Sequence, residues 1–237
     1  MGGALFITGT DTGVGKTFFT CALAAYLKAS GYKVGVMKPA ETGCIDQGGQ
    51  LYAEDAEFLQ QASGSEQPIE QVCPYRLPEP LAPSIAAERA GVEISIDHLL
   101  NCLDDIKSAH DITLVEGAGG LLVPLLPSYT FADFAGVAKL PLIVVAANKL
   151  GAINHLLLTL EQASYKGLLT VGYVLNQLES EPSLAAQTNR EVLAGLTGVR
   201  CLGEVPFVSP VGSDEAQILE LFERELDLRA IDSVLKK

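Results

Sequence analysis

Residues 6–17 read FITGTDTGVGKT, an apolar strand, a glycine-rich turn and a helix start placed end to end. No other feature restricts the fold as tightly. Without side chains at Gly9, Gly13 and Gly15, the backbone can curl and aim successive N–H groups at one point, where the positive end of a helix dipole starting near Lys16 adds to the field. Phosphate oxygens suit such a loop. Lys16 would reach the outer phosphates, and the Thr17 hydroxyl is placed to ligate a magnesium ion bridging them. The usual spacing puts the first glycine where this chain has Thr10, with Gly9 one residue earlier. Context offsets that departure, because ALFI at 4–7 precedes the turn and an alanine-rich helical pattern over 18–27 follows it. A plain glycine turn carrying an exposed lysine is the alternative.

The rest of the chain alternates between helical and strand patterns, which implies an α/β P-loop NTPase-like fold of three layers, a mostly parallel central sheet flanked by helices. VMKP at 36–39 closes a second strand, so Lys38 stands at its carboxyl end, the edge where ligands bind in such sheets. A solvated lysine at a strand end is equally ordinary for an isolated residue, but Glu41, Thr42, Gly43 and Cys44 continue as a small polar loop suited to a substrate. Residues 45–50, rich in glycine and glutamine, are expected to be mobile, and 52–62 to be helical with Asp55 in the first turn. An acid there can favour the helix dipole or serve magnesium through water; local sequence leaves both open.

A proline-dense connection over 74–83 and helices over 84–90 and 97–108 come next. In DITLVEGAGG at 111–120, strand formers end in the carboxylate of Glu116 and then in flexible glycines. Strand-end carboxylates hold magnesium in nucleotide-binding folds, where one or two protein carboxylates suffice; a charged residue facing water is the alternative. A helix over 131–139 leads to a wholly apolar strand over 140–148, as a sheet covered on both faces requires. The next helix, running from about 149 to 165, offers an N-terminus to an anion. Another strand ends in Asn176 and Gln177, whose amides suit either a nucleobase edge or a strand-ending turn. A helix over 184–196, a strand over 201–207 and an amphipathic tail over 213–228 complete the pattern, the tail presenting Ile218, Leu219, Leu221, Phe222 and Leu226 on one face.

Composition sets limits on partners. The 237 residues fit one α/β domain, 48% of them are hydrophobic, and the net charge of −13 argues against a nucleic-acid surface, which needs clustered Lys and Arg. No basic segment precedes the first strand and no apolar run reaches the ~20 residues of a membrane helix, so neither signal peptide nor membrane partner is expected. The 5 cysteines lack C-x-x-C spacing, and reduced thiols in the cytoplasm account for them.

Taken in order, the motifs GTDTGVGKT (9–17), VMKP (36–39), LVEGAGG (114–120), TFAD (130–133) and KLGAINH (149–155) resemble those of the dethiobiotin synthetases, over essentially the whole chain. The resemblance implies a homodimeric, ATP- and magnesium-dependent ligase that turns 7,8-diaminononanoate and carbon dioxide into dethiobiotin, with ADP and phosphate released. By position it makes Lys38 and Lys16 the catalytic pair, and Thr17, Asp55 and Glu116 the magnesium side. It assigns ATP contacts to Gly13, Val14, Gly15, Lys16, Thr17, Phe18, Asp55, Glu116, Gly117, Ala118, Gly119, Asn176, Gln177, Val205, Pro206 and Phe207. Substrate contacts fall to Thr12, Thr42, Leu150, Gly151 and Asn154, the last three supplied by the partner subunit to the substrate carboxylate. Gly13 stands where some members carry glutamate, and Thr42 where some carry serine. The closest rival is a P-loop switch ATPase of the partitioning type, whose second loop lysine would fall at Asp11; a nucleotide-binding structural protein gives Lys38 and Glu116 no purpose.

Overall fold

The computed structural model describes residues 2–208 and 215–231. Its elements in chain order are β1 (Gly3–Gly9), α1 (Lys16–Ala29), β2 (Val34–Met37), β3 (Ala40–Thr42), β4 (Ile45–Asp46), β5 (Leu51–Tyr52), α2 (Glu54–Ser63), α3 (Ile69–Val72), β6 (Tyr75–Leu77), α4 (Pro83–Ala90), α5 (Ile96–Ala109), β7 (Ile112–Gly120), β8 (Pro124–Leu126), β9 (Tyr129–Thr130), α6 (Phe131–Val137), β10 (Leu142–Ala147), α7 (Ala152–Tyr165), β11 (Thr170–Asn176), α8 (Leu184–Leu196), β12 (Cys201–Val205) and α9 (Glu215–Glu225). Six of the strands form one parallel sheet in the order β12-β11-β10-β1-β7-β2. That is the expected three-layer α/β architecture.

Strand periodicity explains the layers. On β1, Leu5 and Ile7 face the side covered by α1, α2 and α9, whereas Phe6 between them faces α5 and α6 on the other side. Every residue of β10 is buried, because helices cover both of its faces. A third cluster joins Val144, Ala146, Tyr173 and Leu175 to Leu156 and Leu160 of α7 and Leu193 of α8. In α9, Phe222 is fully buried and stacks near Phe18 and Phe19, so the amphipathic tail packs as its pattern implies. Its expected first residues, 213 and 214, lie outside the described residues.

Several local expectations change. Residues 45–50 carry a hairpin that their glycine- and glutamine-rich pattern does not announce: β4 and β5 pair antiparallel, Ile45 opposite Tyr52, and Asp46 Oδ1 accepts the Gly49 N–H at 2.7 Å. Tyr52 therefore belongs to a strand, and α2 starts at Glu54. The glycines after Glu116 are not loose backbone: β7 continues to Gly120, which pairs with Gly9 across an irregularity in the register. Within the proline-dense stretch, β6 pairs in parallel with β3. The helix expected from about 149 begins at Ala152, since Lys149 and Leu150 form a turn that Gly151 ends with φ 94°.

Candidate active site

The loop between β1 and α1 is built by its glycines. Gly15 caps α1 with φ 85°, a left-handed conformation that side chains disfavour, and a Cβ there would lie 1.9 Å from Asn176 Nδ2. Glycine is the only residue that fits. Asn176 ends β11, is buried, and donates through Nδ2 to the Val14 carbonyl at 2.9 Å, so it supports the loop from the neighbouring strand. Lys16 donates to the Asp11 carbonyl at 3.2 Å, which keeps its ammonium folded over the loop. Burial lowers the Lys16 pKa, the nearby Lys38 charge adds to that, and the Glu116 and Asp55 carboxylates oppose it.

Beside the loop, Lys38 just after β2 and Glu116 in the middle of β7 bring one cation and one anion to the same place. Lys38 Nζ lies 2.7 Å from Glu116 Oε1, and Thr17 Oγ1 donates to that same oxygen at 3.0 Å, although these partners are 78 and 99 residues apart in sequence. Lys38 also pairs with Asp55 in the first turn of α2. Burial alone would depress the Lys38 ammonium, but the charges and hydrogen bonds of Glu116 and Asp55 outweigh it and hold its pKa above the ordinary lysine value. Withdrawing Lys38 and Glu116 from water costs several kcal/mol each. Such a cost suggests a site kept for chemistry.

Asp55 stands on a backbone that is itself held. Glu41, from β3, accepts the Asp55 N–H on Oε1 at 3.0 Å and the Ala56 N–H on Oε2 at 2.9 Å. Glu41 lines the cleft in the polar loop that the sequence marks as suited to a substrate, and its carboxylate also holds the start of α2. The cleft, of about 660 Å³, is lined by Gly15, Lys16, Thr17, Lys38, Glu41 and Asp55 together with Thr12, Gly13, Thr42, Ala118 and Gly119. Pro80, Leu81, Ala82, Pro83 and Val123 form its remaining wall, and none of these was singled out as a site residue from the sequence. For Pro80, Leu81, Ala82 and Pro83 the signal was the density of prolines, which reads equally as a connection; Val123 carried none. A larger groove, about 800 Å³, lies beside α9, but its four arginines are paired with acids: Arg190 with Glu204, Arg224 with Glu225, and Arg200 and Arg229 with Asp227. It has no phosphate loop.

The donor set fits magnesium. Glu116 Oε2 is buried with no hydrogen-bond partner among the described residues, so an acceptor beside the Thr17 hydroxyl is left over. Oxygen donors, with only one or two of them carboxylates, are what this ion takes from proteins. Glu116, Asp55 and Thr17 offer that combination. Among the described residues, no group of three His, Cys, Asp or Glu side chains could hold a metal by itself; the remaining ligands would be water and phosphate.

Other expected site residues lie apart from this cleft. Strand order puts Lys38 and Glu116 to one side of the loop and the β11 and β12 ends to the other. There Gln177 donates its N–H to the Val205 carbonyl at 2.8 Å, with Pro206 and the exposed Phe207 following. Val14 is buried, Phe18 packs on Phe222, and Gly117 approaches the Phe6 ring, so any ligand contact by these three falls to the backbone. Leu150 is 86% exposed, and Gly151 and Asn154 are exposed as well; none of them lines the cleft of their own chain.

A family model described as "AAA domain" matches residues 3–215. The ATP-dependent dethiobiotin synthetase BioD of Anaeromyxobacter dehalogenans (strain 2CP-C) is 42% identical over 203 residues, 86% of this chain and 89% of the relative. That of Thermodesulfovibrio yellowstonii is 36% identical over 237 residues, 97% of this chain and 98% of the relative. The chain belongs to the dethiobiotin synthetase family. Solved structures at lower identity share the fold. Cobyrinic acid a,c-diamide synthase from Mycobacterium smegmatis, with bound ADP and magnesium, has a TM-score of 0.57 at 14% identity, covering 93% of this chain and 92% of its own. The pNOB8 ParA protein bound to nonspecific DNA has a TM-score of 0.59, also at 14% identity, covering 98% and 99%. The partitioning ATPases are thus relatives in fold, while the dethiobiotin synthetases are relatives in sequence.

Not every motif shared with dethiobiotin synthetases serves the cleft. TFAD builds a capping box, in which Thr130 Oγ1 accepts the Asp133 N–H at 3.4 Å and Asp133 Oδ2 accepts the Thr130 N–H at 2.8 Å. At Gly13, where some dethiobiotin synthetases carry glutamate, a Cβ would meet nothing within 4 Å, but φ 72° would strain any side chain.

Proposed function

We propose that this protein is an ATP- and magnesium-dependent cyclo-ligase that carboxylates 7,8-diaminononanoate and closes it to dethiobiotin, releasing ADP and phosphate. The observation that carries this is the meeting of Lys38 and Glu116 at 2.7 Å beside Lys16 and Thr17. The names of its relatives supply the product, dethiobiotin, and the dependence on ATP.

One substrate amine adds to carbon dioxide and loses a proton, giving a carbamate. A carbamate oxygen then attacks the γ-phosphorus of ATP and ADP leaves. The second amine attacks the carbonyl carbon of the carbamic-phosphoric anhydride, expels phosphate, and the cyclic urea forms. In this sequence the loop amides and Lys16 bind the β- and γ-phosphates, and Lys38 neutralises the carbamate and γ-phosphate oxygens as they approach. Such chemistry needs positioning and charge neutralisation more than covalent work. Magnesium, held by Thr17, Asp55 and Glu116, supplies charge neutralisation on the phosphates. Gly13, Val14, Gly15, Phe18, Gly117, Ala118 and Gly119 surround the phosphate side, and Asn176, Gln177, Val205, Pro206 and Phe207 the base side. Thr12 and Thr42 face the diamine.

The whole chain works as one ligase domain, because the assigned contacts run from the first strand to the end of β12. It works as a cytoplasmic homodimer, with Leu150, Gly151 and Asn154 of the partner subunit receiving the substrate carboxylate at the start of α7. Their exposure supports this, as does the apolar surface around them, where Leu158 is 61% and Leu122 50% exposed. Small molecules are then its only ligands, with neither nucleic acid nor membrane involved.

The test is direct. Purified protein given the diamine, bicarbonate and MgATP forms the cyclic urea, identified by mass, with one ADP per product. ATP consumption that required added DNA or lipid vesicles would transfer the protein to the switch-ATPase class.

A further inference from the structure

The first turn of α2 has a defect that its own sequence does not repair. A helix leaves its first N–H groups without intrahelical partners, and a side-chain oxygen at the N-cap usually accepts one of them. Here the N-cap is Ala53, which has none. Glu54, Asp55 and Glu57 suit the dipole, yet the Asp55 and Ala56 N–H groups are taken up by another element. Both oxygens of Glu41 are spent on them, one each, and the residue is only 7% exposed. This carboxylate reaches α2 because β3 is fixed on both sides: the Lys38 N–H donates to the Val72 carbonyl at 2.7 Å, and β3 pairs with β6 over residues 40–42.

We propose that Glu41 is a positioning residue that clamps the first turn of α2 and thereby fixes where the Asp55 carboxylate stands relative to Lys38 and Glu116. The Asp55 side chain is 39% exposed, and its one described side-chain partner is Lys38, a long and rotatable residue. Its location therefore comes from the backbone beneath it, and that backbone is set by Glu41. A pair of N–H donors facing two carboxylate oxygens fixes orientation as well as distance, and one acceptor could not do so alone. Lys38 and Glu41 are three residues apart, so a single short segment carries both the cation of the cleft and the clamp for its facing acid.

The inference rests on the proposed role of Asp55 on the magnesium side, and its test separates the two. Backbone amide exchange at Asp55 and Ala56, followed in the protein without nucleotide or divalent cation, reads the clamp by itself. Exchange is faster in Glu41→Ala and intermediate in Glu41→Gln, which keeps one acceptor. The magnesium concentration for half-maximal turnover at saturating ATP then rises roughly tenfold in Glu41→Ala, the size usual for partners of ligating groups. Because Glu41 acts through Asp55, the substitution adds less than about twofold to that concentration once Asp55→Asn is already present. General loosening of the fold would lower turnover and melting temperature without moving the magnesium requirement. Unchanged exchange at Asp55 and Ala56 overturns the proposal, as does a full tenfold effect of Glu41→Ala in the Asp55→Asn background. If Asp55→Asn leaves the magnesium requirement alone while Glu41→Ala still speeds exchange, the clamp stands and the magnesium role of Asp55 falls. Should Glu41→Ala not fold, Glu41→Gln yields the same comparisons at smaller amplitude.

Discussion

Lys38 is the residue on which the proposed chemistry turns, and its environment says how its loss should register. It sits between two carboxylates at the edge of the loop, whereas in the proposed reaction the loop amides, Lys16 and Thr17 bind the phosphates. Lys38→Ala should therefore lower kcat by roughly 10²–10³ or more, the size typical for one charge-stabilising donor, and change ATP affinity only modestly. Single-turnover kinetics and calorimetric ATP titration together check this, and equal losses in both would mean that Lys38 serves binding. Cys44 gives a contrasting prediction. Burial, followed by the charge of Glu41, pushes its thiol up to about 11, so almost no thiolate exists near neutral pH. Iodoacetamide at mildly alkaline pH should spare Cys44 in the native protein and modify it promptly in denaturant, as peptide mass mapping would read. At this scale the sequence is informative for Lys38, which follows the last residue of β2 as its pattern implies, whereas Glu116, expected at a strand end, lies in the middle of β7. Asp55 has two readings in its local sequence, and the structure adds a contact with Lys38 that neither of them contains. Glu41 lines the cleft as its polar loop implies, but its hydrogen bonds to the Asp55 and Ala56 N–H groups leave no mark in a side-chain pattern.

Elements follow the same division. Long periodic segments such as α1, β10 and α7 were legible, since a face buried along its whole length leaves a regular pattern. The β4–β5 hairpin was not, because its strands have two residues each and their glycines read as mobility. Nor was the pairing of β3 with β6, a contact between distant segments that brings Pro80, Leu81, Ala82 and Pro83 to the cleft. TFAD is the opposite case, a motif legible in sequence whose work is local. Thr130 and Asp133 satisfy the start of α6, and Lys166 at the end of α7 pairs with Asp133. Partial burial would raise the Asp133 carboxyl, but Lys166 and the Thr130 donors outweigh it and hold its pKa below the usual carboxylate range. A depressed carboxyl contributes stability above its unfolded pKa and loses it as pH falls through the folded value, so this contribution is complete at neutral pH. Thr130→Ala should cost about 1 kcal/mol at pH 7, the usual worth of an N-cap, and leave kcat unchanged. Denaturant unfolding beside a steady-state assay would decide it; a large loss of activity with unchanged stability would move TFAD into the active site.

For the whole molecule, the parallel sheet gathers loop, cation and carboxylate at one edge, and this much follows from strand order. Among the described residues, the cations that line the cleft are Lys16 and Lys38, both beside the phosphate loop. The start of α7 is the available anion-binding end, and it faces outward with Leu150, Gly151 and Asn154 exposed. Next to it, a groove lined by Thr10, Asp11, Leu122, Val123, His155 and Leu158 adjoins the phosphate loop, so a partner covering this surface would stand beside the loop itself. If each site takes residues from both subunits, two inactive proteins can repair one another. Lys38→Ala removes the cation from its own cleft, and Gly151→Asp places a carboxylate where the substrate's own must bind while keeping a residue that tolerates positive φ. Each alone should be nearly inactive at limiting diamine. Once mixed and allowed to exchange subunits, half the dimers are hybrids, and each hybrid holds one cleft with Lys38 from one chain facing Gly151 of the other. Activity should then return to about a quarter of the unsubstituted level, as twofold symmetry dictates. A mixture that stays inactive while mass measurements show hybrid dimers would mean that each chain binds the whole substrate alone.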